Sequence, residues 1–236
     1  MPDISLYPGE ELVLFEKAVN WKRYFSSFIK PYINGRVLEA GAGLGANTLL
    51  LYTPAASEWV LLEPDTEMAG ILENKINQQQ LPASCKLMRG TIAQFEKKEQ
   101  FDTIIYIDVL EHIEQDREEL EMAAHLLNHG GHLIILSPAF QFLFSPFDKA
   151  IGHYRRYTKS TLQKQVPVSL IPVQLRYLDT TGYFLSMINR MLLRKKYPTQ
   201  KQVITWDRAG IPISRITDRI MNYSFGKTIL GTWKKG

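Results

Sequence analysis

Residues 36–47 read RVLEAGAGLGAN, and this stretch decides the fold. Its first apolar residues predict a short buried strand, which the glycines end, and a helix is expected to begin near Asn47. Gly41, Gly43 and Gly45 stand at alternate positions, where the lack of a Cβ atom lets the backbone turn sharply and approach a ligand. The positive end of the following helix then points at whatever lies on the loop. The stretch therefore predicts a cofactor-binding loop between a strand and a helix.

Glu39 narrows the kind of ligand that this loop receives. Gly41, Gly43 and Ala46 also satisfy G-x-G-x-x-G/A, the pattern of dinucleotide sites. However, a carboxylate two residues before Gly41 would repel a pyrophosphate. It suits a ligand that carries positive charge, such as the ammonium and sulfonium groups of S-adenosylmethionine.

The composition is that of a globular chain with an uneven charge distribution. The 236 residues suffice for one sizeable core, and the single cysteine, Cys85, excludes an internal disulfide. Residues 1–150 hold 12 Lys/Arg and 21 Asp/Glu (−9), whereas residues 151–236 hold 16 and 3 (+13), which together give +4. The basic part suits either an anionic partner or a solvated face. We expect a cytoplasmic protein, because no apolar run approaches the ~20 residues of a membrane span and the start lacks the pattern of a signal peptide.

Strands and helices are predicted to alternate along the first part of the chain. The strands are expected at residues 37–38, 59–62, 85–88, 101–107 and 132–137, with helices at 66–78 and 115–127, and two later strands at 173–178 and 227–233. Such alternation predicts a parallel sheet that is covered on both faces. We divide this single domain into N-terminal helices (1–34), a cofactor-binding core (35–137), and a lid with substrate-side elements and the last two strands (138–236).

Three motifs carry a resemblance to a known family. They are Glu39-x-Gly41-x-Gly43-x-Gly45, the string DVLEHI at residues 108–113 and the string G-H-x-R-R-Y-T at residues 152–158. The chain resembles the class I S-adenosylmethionine-dependent methyltransferases of the small-molecule type, including the ubiquinone-biosynthesis O-methyltransferases and bacterial methyltransferases of polysaccharide and natural-product pathways. The resemblance implies an α/β fold with a Rossmann-like, doubly wound sheet of seven strands, mostly parallel with an antiparallel last strand. It also implies S-adenosylmethionine as the cofactor.

The same resemblance implies a set of cofactor contacts. Glu63, at the end of the second strand, would accept hydrogen bonds from the ribose hydroxyls. Thr91 would lie beside the adenine, although aspartate is the usual residue at that position. The full set expected to bind the cofactor is Glu39, Gly41, Ala42, Gly43, Gly45, Glu63, Pro64, Thr91, Ile92, Asp108 and Val109.

The acceptor is expected to meet residues 147–158, just past the fifth strand. His153 and His112 are the two candidate general bases, and His153 is favoured. The residues expected to contact the substrate are Tyr154, Arg155, Arg156 and Tyr157, since guanidinium groups suit carboxylate or phosphate. The alternative is a structural clasp in which the arginines pair with Asp148 or with helix ends.

No metal is expected, with one alternative. In some relatives, residues at the positions of Asp108, Glu111 and His112 are associated with a magnesium ion. One or two carboxylates hold Mg²⁺ mostly with help from substrate oxygens. Otherwise Glu111 and His112 cap the next helix.

The sequence thus predicts transfer of a methyl group to a hydroxyl or amine of a small acceptor, anionic or phosphate-bearing. An RNA methyltransferase is one alternative, and it would need Tyr197 and Trp206 to stack on bases. A non-catalytic S-adenosylmethionine-binding partner protein is another, and an NAD-dependent oxidoreductase is disfavoured by Glu39. We expect a small-molecule substrate and no nucleic acid partner, and we leave peripheral membrane contact open. The sequence does not reveal the oligomeric state.

Overall fold

A computed structural model describes residues 15–96, 98–193 and 198–236. Seven strands form one sheet in the order β3-β2-β1-β4-β5-β7-β6. The strands are β1 (Gly35–Ala40), β2 (Ala56–Glu63), β3 (Cys85–Arg89), β4 (Phe101–Ile107), β5 (Leu127–Pro138), β6 (Leu170–Leu178) and β7 (Thr228–Lys235).

Helices connect these strands and cover the sheet. They include α1 (Val19–Ile29), α2 (Ala46–Leu51), α3 (Thr66–Asn77), α4 (Asp116–Leu126), α5 (Pro146–Ala150), α6 (Lys159–Gln165), α7 (Thr180–Ile188), α8 (Gln200–Thr205) and α9 (Ile211–Ile220). Short 3-10 turns at Lys30–Tyr32, Ile92–Gln94, Leu110–His112 and Gln141–Leu143 complete the connections.

The direction of the strands confirms the predicted architecture. Strands β1 to β5 run parallel to one another, and β7 runs antiparallel to both β5 and β6. Because β7 is reversed, its first residues lie at the edge of the sheet where β4 and β5 end. The strand order reverses between β1 and β4, which is where ligands bind in open sheets of this kind.

Apolar packing on both faces explains why the central strands read as continuous apolar runs. Along β4, Ile104 and Tyr106 face one core layer and Ile105 and Ile107 face the other. Parallel strands covered by helices on both sides have this pattern. The prediction of a sheet covered on both faces is therefore confirmed.

The fifth strand differs from the prediction at its start. It begins at Leu127 rather than His132, and the register shifts between Phe101 and Thr103 where it pairs with β4. A Cβ atom on Gly131 would lie 3.0 Å from the carbonyl oxygen of Asp102. The glycine therefore permits a bulge in which the backbones approach closely.

The N-terminal helices are described only in part. The structure places α1 and the turn at Lys30–Tyr32 over one face of the sheet, while residues 1–14 lie outside the described ranges. The indole of Trp21 packs against Phe25, and its backbone amide donates to Asp207. Within the described ranges, no helix combines the length and apolar character needed to cross a membrane.

Candidate functional site

The glycine-rich loop turns sharply at the carboxyl end of β1. Gly41, Gly43 and Gly45 have φ angles of 64°, 57° and 72°, a region that side chains with a Cβ atom rarely adopt. A Cβ atom on Gly41 would lie 2.5 Å from Cγ2 of Val109, the residue that follows the end of β4 by two positions. The loop therefore requires glycine and presents bare backbone beside the end of β4.

Glu63 is fixed against this loop by two backbone amides. Its Oε2 accepts a 2.7 Å hydrogen bond from the Gly43 amide, and its Oε1 accepts a 2.9 Å bond from the Asp65 amide. Burial raises the pKa of Glu63, and the two amides oppose that rise. The carboxylate lies at the end of β2, where the sequence predicts the ribose contact, and the following Pro64 is exposed.

The Glu39 carboxylate is hydrogen-bonded inside the protein, whereas its position before the glycine-rich loop suggests contact with a ligand. Its Oε2 accepts 2.8 Å hydrogen bonds from the hydroxyl of Thr48 and from the indole of Trp59. The side chain is buried, and this burial raises its pKa to about 7. Its predicted contact with a cofactor stays a prediction.

Thr91 and Ile92 follow β3 at the same edge of the sheet. The preceding Gly90 donates its amide to the carbonyl of Glu63, which ties the ends of β2 and β3 together. Thr91 is exposed, whereas Ile92 is buried in the apolar core. Their predicted proximity to adenine stays a prediction.

Asp108 lies where the elements around the crevice meet. It has a φ of 52° and donates its backbone amide to the carbonyl of Leu136. Although the residue as a whole is exposed, desolvation raises the pKa of its carboxyl group to about 6, while the charges of His153, Lys227 and Lys22 lower it. Asp108 therefore lies near the loop after β5, the residue before β7 and helix α1, and we call the region between these elements the recess.

The segment after β5 is held by an ion pair inside the protein. Arg156 donates from Nε and Nη2 to the two carboxylate oxygens of Asp148, at 2.8 and 2.9 Å. Nδ1 of His153 lies 3.1 Å from Oδ1 of Asp148, and Ser145 donates to Oδ2 in a capping box at the start of α5. Burial alone would raise the pKa of Asp148, but the bonds from His153 and Arg156 lower it below its ordinary value.

Glu111 lies beneath this segment and is fully buried. Its Oε2 accepts a 2.8 Å hydrogen bond from Ser137. Its Oε1 has no hydrogen-bond partner in the described part of the chain and lies 3.9 Å from Nε2 of His153. Burial raises the pKa of Glu111 well above its ordinary value, so the protonated form is favoured.

The residues that could hold a metal are only partly those the sequence indicates. Ligand atoms of Glu111, His112 and His153 lie within 4.8 Å of one another, so His153 stands where Asp108 was expected in the set. The rings of His112 and His153 meet edge to face at 4.5 Å. The surrounding protein and the neighbouring His153 lower the pKa of His112, which favours its neutral form.

The remaining predicted substrate residues divide between the surface and the interior. Tyr154 is half exposed. Arg155 pairs with Asp116 at 2.7 Å, and the buried Tyr157 donates its hydroxyl to the same carboxylate at 2.7 Å. Arg155, Arg156 and Tyr157 therefore make the internal contacts of the clasp that the sequence left as an alternative, and contact of these residues and Tyr154 with the substrate stays a prediction.

Lys227 is a site residue that the sequence analysis did not identify. The charge of Lys227 lowers the pKa of Asp108, and its ammonium lies 5.5 Å from the ring centre of Trp206. It precedes β7 by one residue and reaches the recess because β7 is antiparallel. A lysine at the start of the last predicted strand was the one local signal for this position, and its use required knowledge that β7 pairs antiparallel with β5.

Comparison with known proteins agrees with this geometry. A family model described as a methyltransferase domain matches residues 20–171. An uncharacterized methyltransferase from Bacillus mycoides (strain KBAB4) is 29% identical over 140 residues, which cover 58% of this chain and 62% of the relative. The chain thus spans about three fifths of the length of the curated relatives it matches.

Two solved structures share the fold at low sequence identity. Geranyl diphosphate methyltransferase in complex with S-adenosylmethionine has a TM-score of 0.64 and 10% identity, covering 98% of this chain and 92% of the other. The N-methyltransferase NodS from Bradyrhizobium japonicum WM9, in complex with S-adenosyl-L-homocysteine, has a TM-score of 0.55 and 13% identity, covering 94% and 87%. Since the family model covers more than half of the chain, this protein belongs to the methyltransferase domain family.

Proposed function

We propose that the crevice at the ends of β1, β2 and β4 binds S-adenosylmethionine and that the recess beside it holds a small acceptor with a hydroxyl or amine. The cofactor supplies a methyl group that its sulfonium already activates. The protein therefore has to align the acceptor, exclude water and take up one proton.

The residues of the crevice fit the cofactor. The loop at Gly41 leaves open backbone where a Cβ atom would collide with Val109, and the Glu63 carboxylate is held at a fixed position beside it. Each carboxylate oxygen of Glu63 retains a free lone pair after its amide bond, so it can also accept from the ribose hydroxyls. Asp108 and Val109 would border the methionine portion.

The proposed position of the acceptor rests on the gap between Oε1 of Glu111 and Nε2 of His153. A single oxygen atom can stand about 2.8 Å from both Oε1 of Glu111 and Nε2 of His153, since these atoms are 3.9 Å apart. Such an oxygen would give the buried Oε1 the partner that it lacks among the described residues. An acceptor hydroxyl at that position would be hydrogen-bonded to Nε2 of His153, the nitrogen that would take its proton.

His153 is the better base of the two histidines. The contact between its Nδ1 and Asp148 favours the tautomer with the proton on Nδ1, which leaves the Nε2 lone pair for the acceptor. Bound S-adenosylmethionine would supply the methyl group, and Nε2 of His153 would take the proton that the acceptor oxygen gives up. His112 has a lowered pKa and is therefore a weaker base.

Under the RNA alternative, two aromatic residues would stack on bases, and one of them, Trp206, is not available for stacking. Trp206 packs against Phe15 and Trp21 and donates its indole N–H to Asp179, so its ring is committed to internal contacts. Tyr197 lies outside the described residues. We therefore retain the small-molecule acceptor.

A pair of glycine variants tests the cofactor site. Gly41→Ala adds a Cβ atom to a left-handed residue beside Val109, whereas Gly70→Ala adds one in α3 with nothing within 4 Å. We expect S-adenosylhomocysteine, but not NAD, to raise the melting temperature of the wild type and of Gly70→Ala. For Gly41→Ala, we expect the same rise in melting temperature to require about tenfold more S-adenosylhomocysteine.

Transfer itself is tested with radiolabelled S-adenosylmethionine and a panel of small hydroxyl and amine compounds. Label appearing on a panel compound with wild-type protein, and lost with Gly41→Ala, supports the proposal. Cofactor binding without transfer to any compound, to RNA or to protein would favour the non-catalytic alternative.

A further inference from the structure

The main chain of Lys227 joins the ends of two strands at the edge of the recess. Its amide donates to the carbonyl of Asp179 at the end of β6, and its carbonyl accepts from the amide of Ala139 after β5. These bonds fix the Cα atom of Lys227 between the lid segment and α7. The direction of its side chain is therefore set by the fold of the sheet.

The ammonium of Lys227 lies among carboxylates without contacting one. In the described ranges, its Nζ has no hydrogen bond or ion pair; its one described contact is the face of Trp206. Asp179 already accepts from Trp206, Ser214 and the Gly182 amide. Burial lowers the pKa of Lys227, and the charges of Asp179, Asp148 and Asp108 oppose this.

A second cation with an unused donor lies nearby. Arg156 is nine-tenths buried, and within the described residues its Nη1 has no partner although Nε and Nη2 are paired with Asp148. The main chain brings Arg156 close to Lys227, because Ala139 donates its amide to the carbonyl of Lys227 and forms a β-bridge with Tyr157, the neighbour of Arg156. The charge of Arg156 also lowers the pKa of Lys227. An unpartnered buried donor on a charged group is costly unless a ligand satisfies it.

Cofactor binding would add positive charge beside these two cations. S-adenosylmethionine carries a net charge of +1, from its sulfonium, ammonium and carboxylate groups. An anionic acceptor would offset that added charge, and burial of the cations makes such compensation favourable.

We propose that Nζ of Lys227 and Nη1 of Arg156 bind an oxyanion of the acceptor, a carboxylate or a phosphate, so that its hydroxyl or amine meets His153. This inference rests on the proposed function and defines its substrate class. Charge-assisted hydrogen bonds from a lysine and an arginine are among the strongest that a protein offers to such groups.

The test uses the full chain saturated with sinefungin, a cofactor analogue with an ammonium in place of the sulfonium. Calorimetric binding of benzoate, phenyl phosphate and neutral benzamide is compared at constant ionic strength. We expect benzoate or phenyl phosphate to bind at least tenfold more tightly than benzamide, and the better of the two identifies the oxyanion.

Three lysine variants then assign the site. Lys227→Met keeps the length of the side chain and its contact with Trp206 but removes the charge, and it should weaken anion binding about tenfold or more. Lys164→Met, at an exposed position in the last turn of α6, is the matched control and should change nothing. Lys227→Arg retains the charge and should recover most of the affinity.

The results separate the two proposals. If sinefungin binds but neither benzoate nor phenyl phosphate binds more tightly than benzamide, the anion site is overturned and the methyltransferase proposal stands. Equal anion binding by wild type and Lys227→Met also overturns it. If sinefungin does not bind, the proposed cofactor crevice fails, and the anion site fails with it. The wild-type comparison of charged and neutral ligands decides the question even if Lys227→Met does not fold.

Discussion

The indole N–H of Trp59 donates a 2.8 Å hydrogen bond to Oε2 of Glu39, and this bond holds an acidic residue inside the packing of the sheet. The hydroxyl of Thr48 donates to the same oxygen. Both partners lie on elements that flank β1, so the carboxylate links β1 to β2 and to α2. Burial outweighs these bonds and raises the pKa of Glu39 to about 7.

This raised pKa predicts how stability changes with pH. The unfolded chain has a Glu39 pKa near 4.5, so between pH 4.5 and 7 the folded state binds a proton that the unfolded state loses. The contribution of Glu39 to the free energy of unfolding is therefore fully present below pH 4.5 and falls by about 3 kcal/mol as the pH rises through 7. Urea unfolding of Glu39→Gln should show a flatter pH dependence than the wild type. The exposed Glu118→Gln is the control, and equal slopes for all three proteins would refute the assignment.

Local sequence was sufficient to predict that the glycine-rich loop and Glu63 lie together. The glycines at 41, 43 and 45 and the acidic residue at 63 follow two strands, and the ends of parallel strands meet at one edge. Strand polarity therefore implies their proximity before any coordinates are known. The orientation of Glu39 does not follow in this way, because it depends on which neighbours, here Thr48 and Trp59, offer donors in the packed core.

The acceptor side could be predicted only in part. The string at residues 152–158 indicated a functional segment, but whether Arg156 faces a substrate or Asp148 depends on a helix five residues long that begins at Pro146. Lys227 lies 71 residues beyond Arg156 in the chain, and only the antiparallel pairing of β7 brings the two together. Contacts of this range carry no local signal.

Glu63→Ala should weaken binding of S-adenosylhomocysteine by ~1–3 kcal/mol, because the ribose hydroxyls lose their acceptor and the Gly43 amide loses its partner. Isothermal titration calorimetry measures the change directly. Glu67→Ala, on the exposed first turn of α3, is the matched control. Unchanged affinity in Glu63→Ala would remove this carboxylate from the cofactor site.

His153→Ala should lower turnover ~10²–10⁴-fold while binding of S-adenosylhomocysteine is retained, since the variant loses the base but keeps the crevice. The exposed His129→Ala provides the comparison and should remain fully active. Full activity of His153→Ala would exclude His153 as the base. A metal held by Glu111, His112 and His153 would make activity sensitive to a chelator, and we expect no such loss.

Tyr157→Phe should reduce the free energy of unfolding by ~1–2 kcal/mol, because the buried hydroxyl donates to Asp116 at 2.7 Å. Since the residue is enclosed, cofactor affinity and the KM for the acceptor should stay as in the wild type. Tyr154→Phe changes a half-exposed ring and should leave stability unchanged. A raised KM with normal stability in Tyr157→Phe would instead restore its predicted contact with the substrate.

Peripheral membrane contact stays a prediction, and α9 offers a way to test it. Ile213, Ile216 and Ile220 recur at helical spacing and are 53%, 64% and 73% exposed, and Arg215 and Arg219 line the same groove as two of them. An exposed apolar stripe flanked by arginines suits an anionic lipid surface. We expect the protein to sediment with vesicles containing phosphatidylglycerol and not with purely phosphatidylcholine vesicles.

Ile216→Glu should reduce this binding about tenfold, since it places a charge at the acyl boundary, whereas Val168→Glu, at a fully exposed residue before β6, should not. Equal sedimentation of wild type and Ile216→Glu would show that α9 is a solvated basic face, because only a helix inserted at the lipid surface is sensitive to a carboxylate at that position.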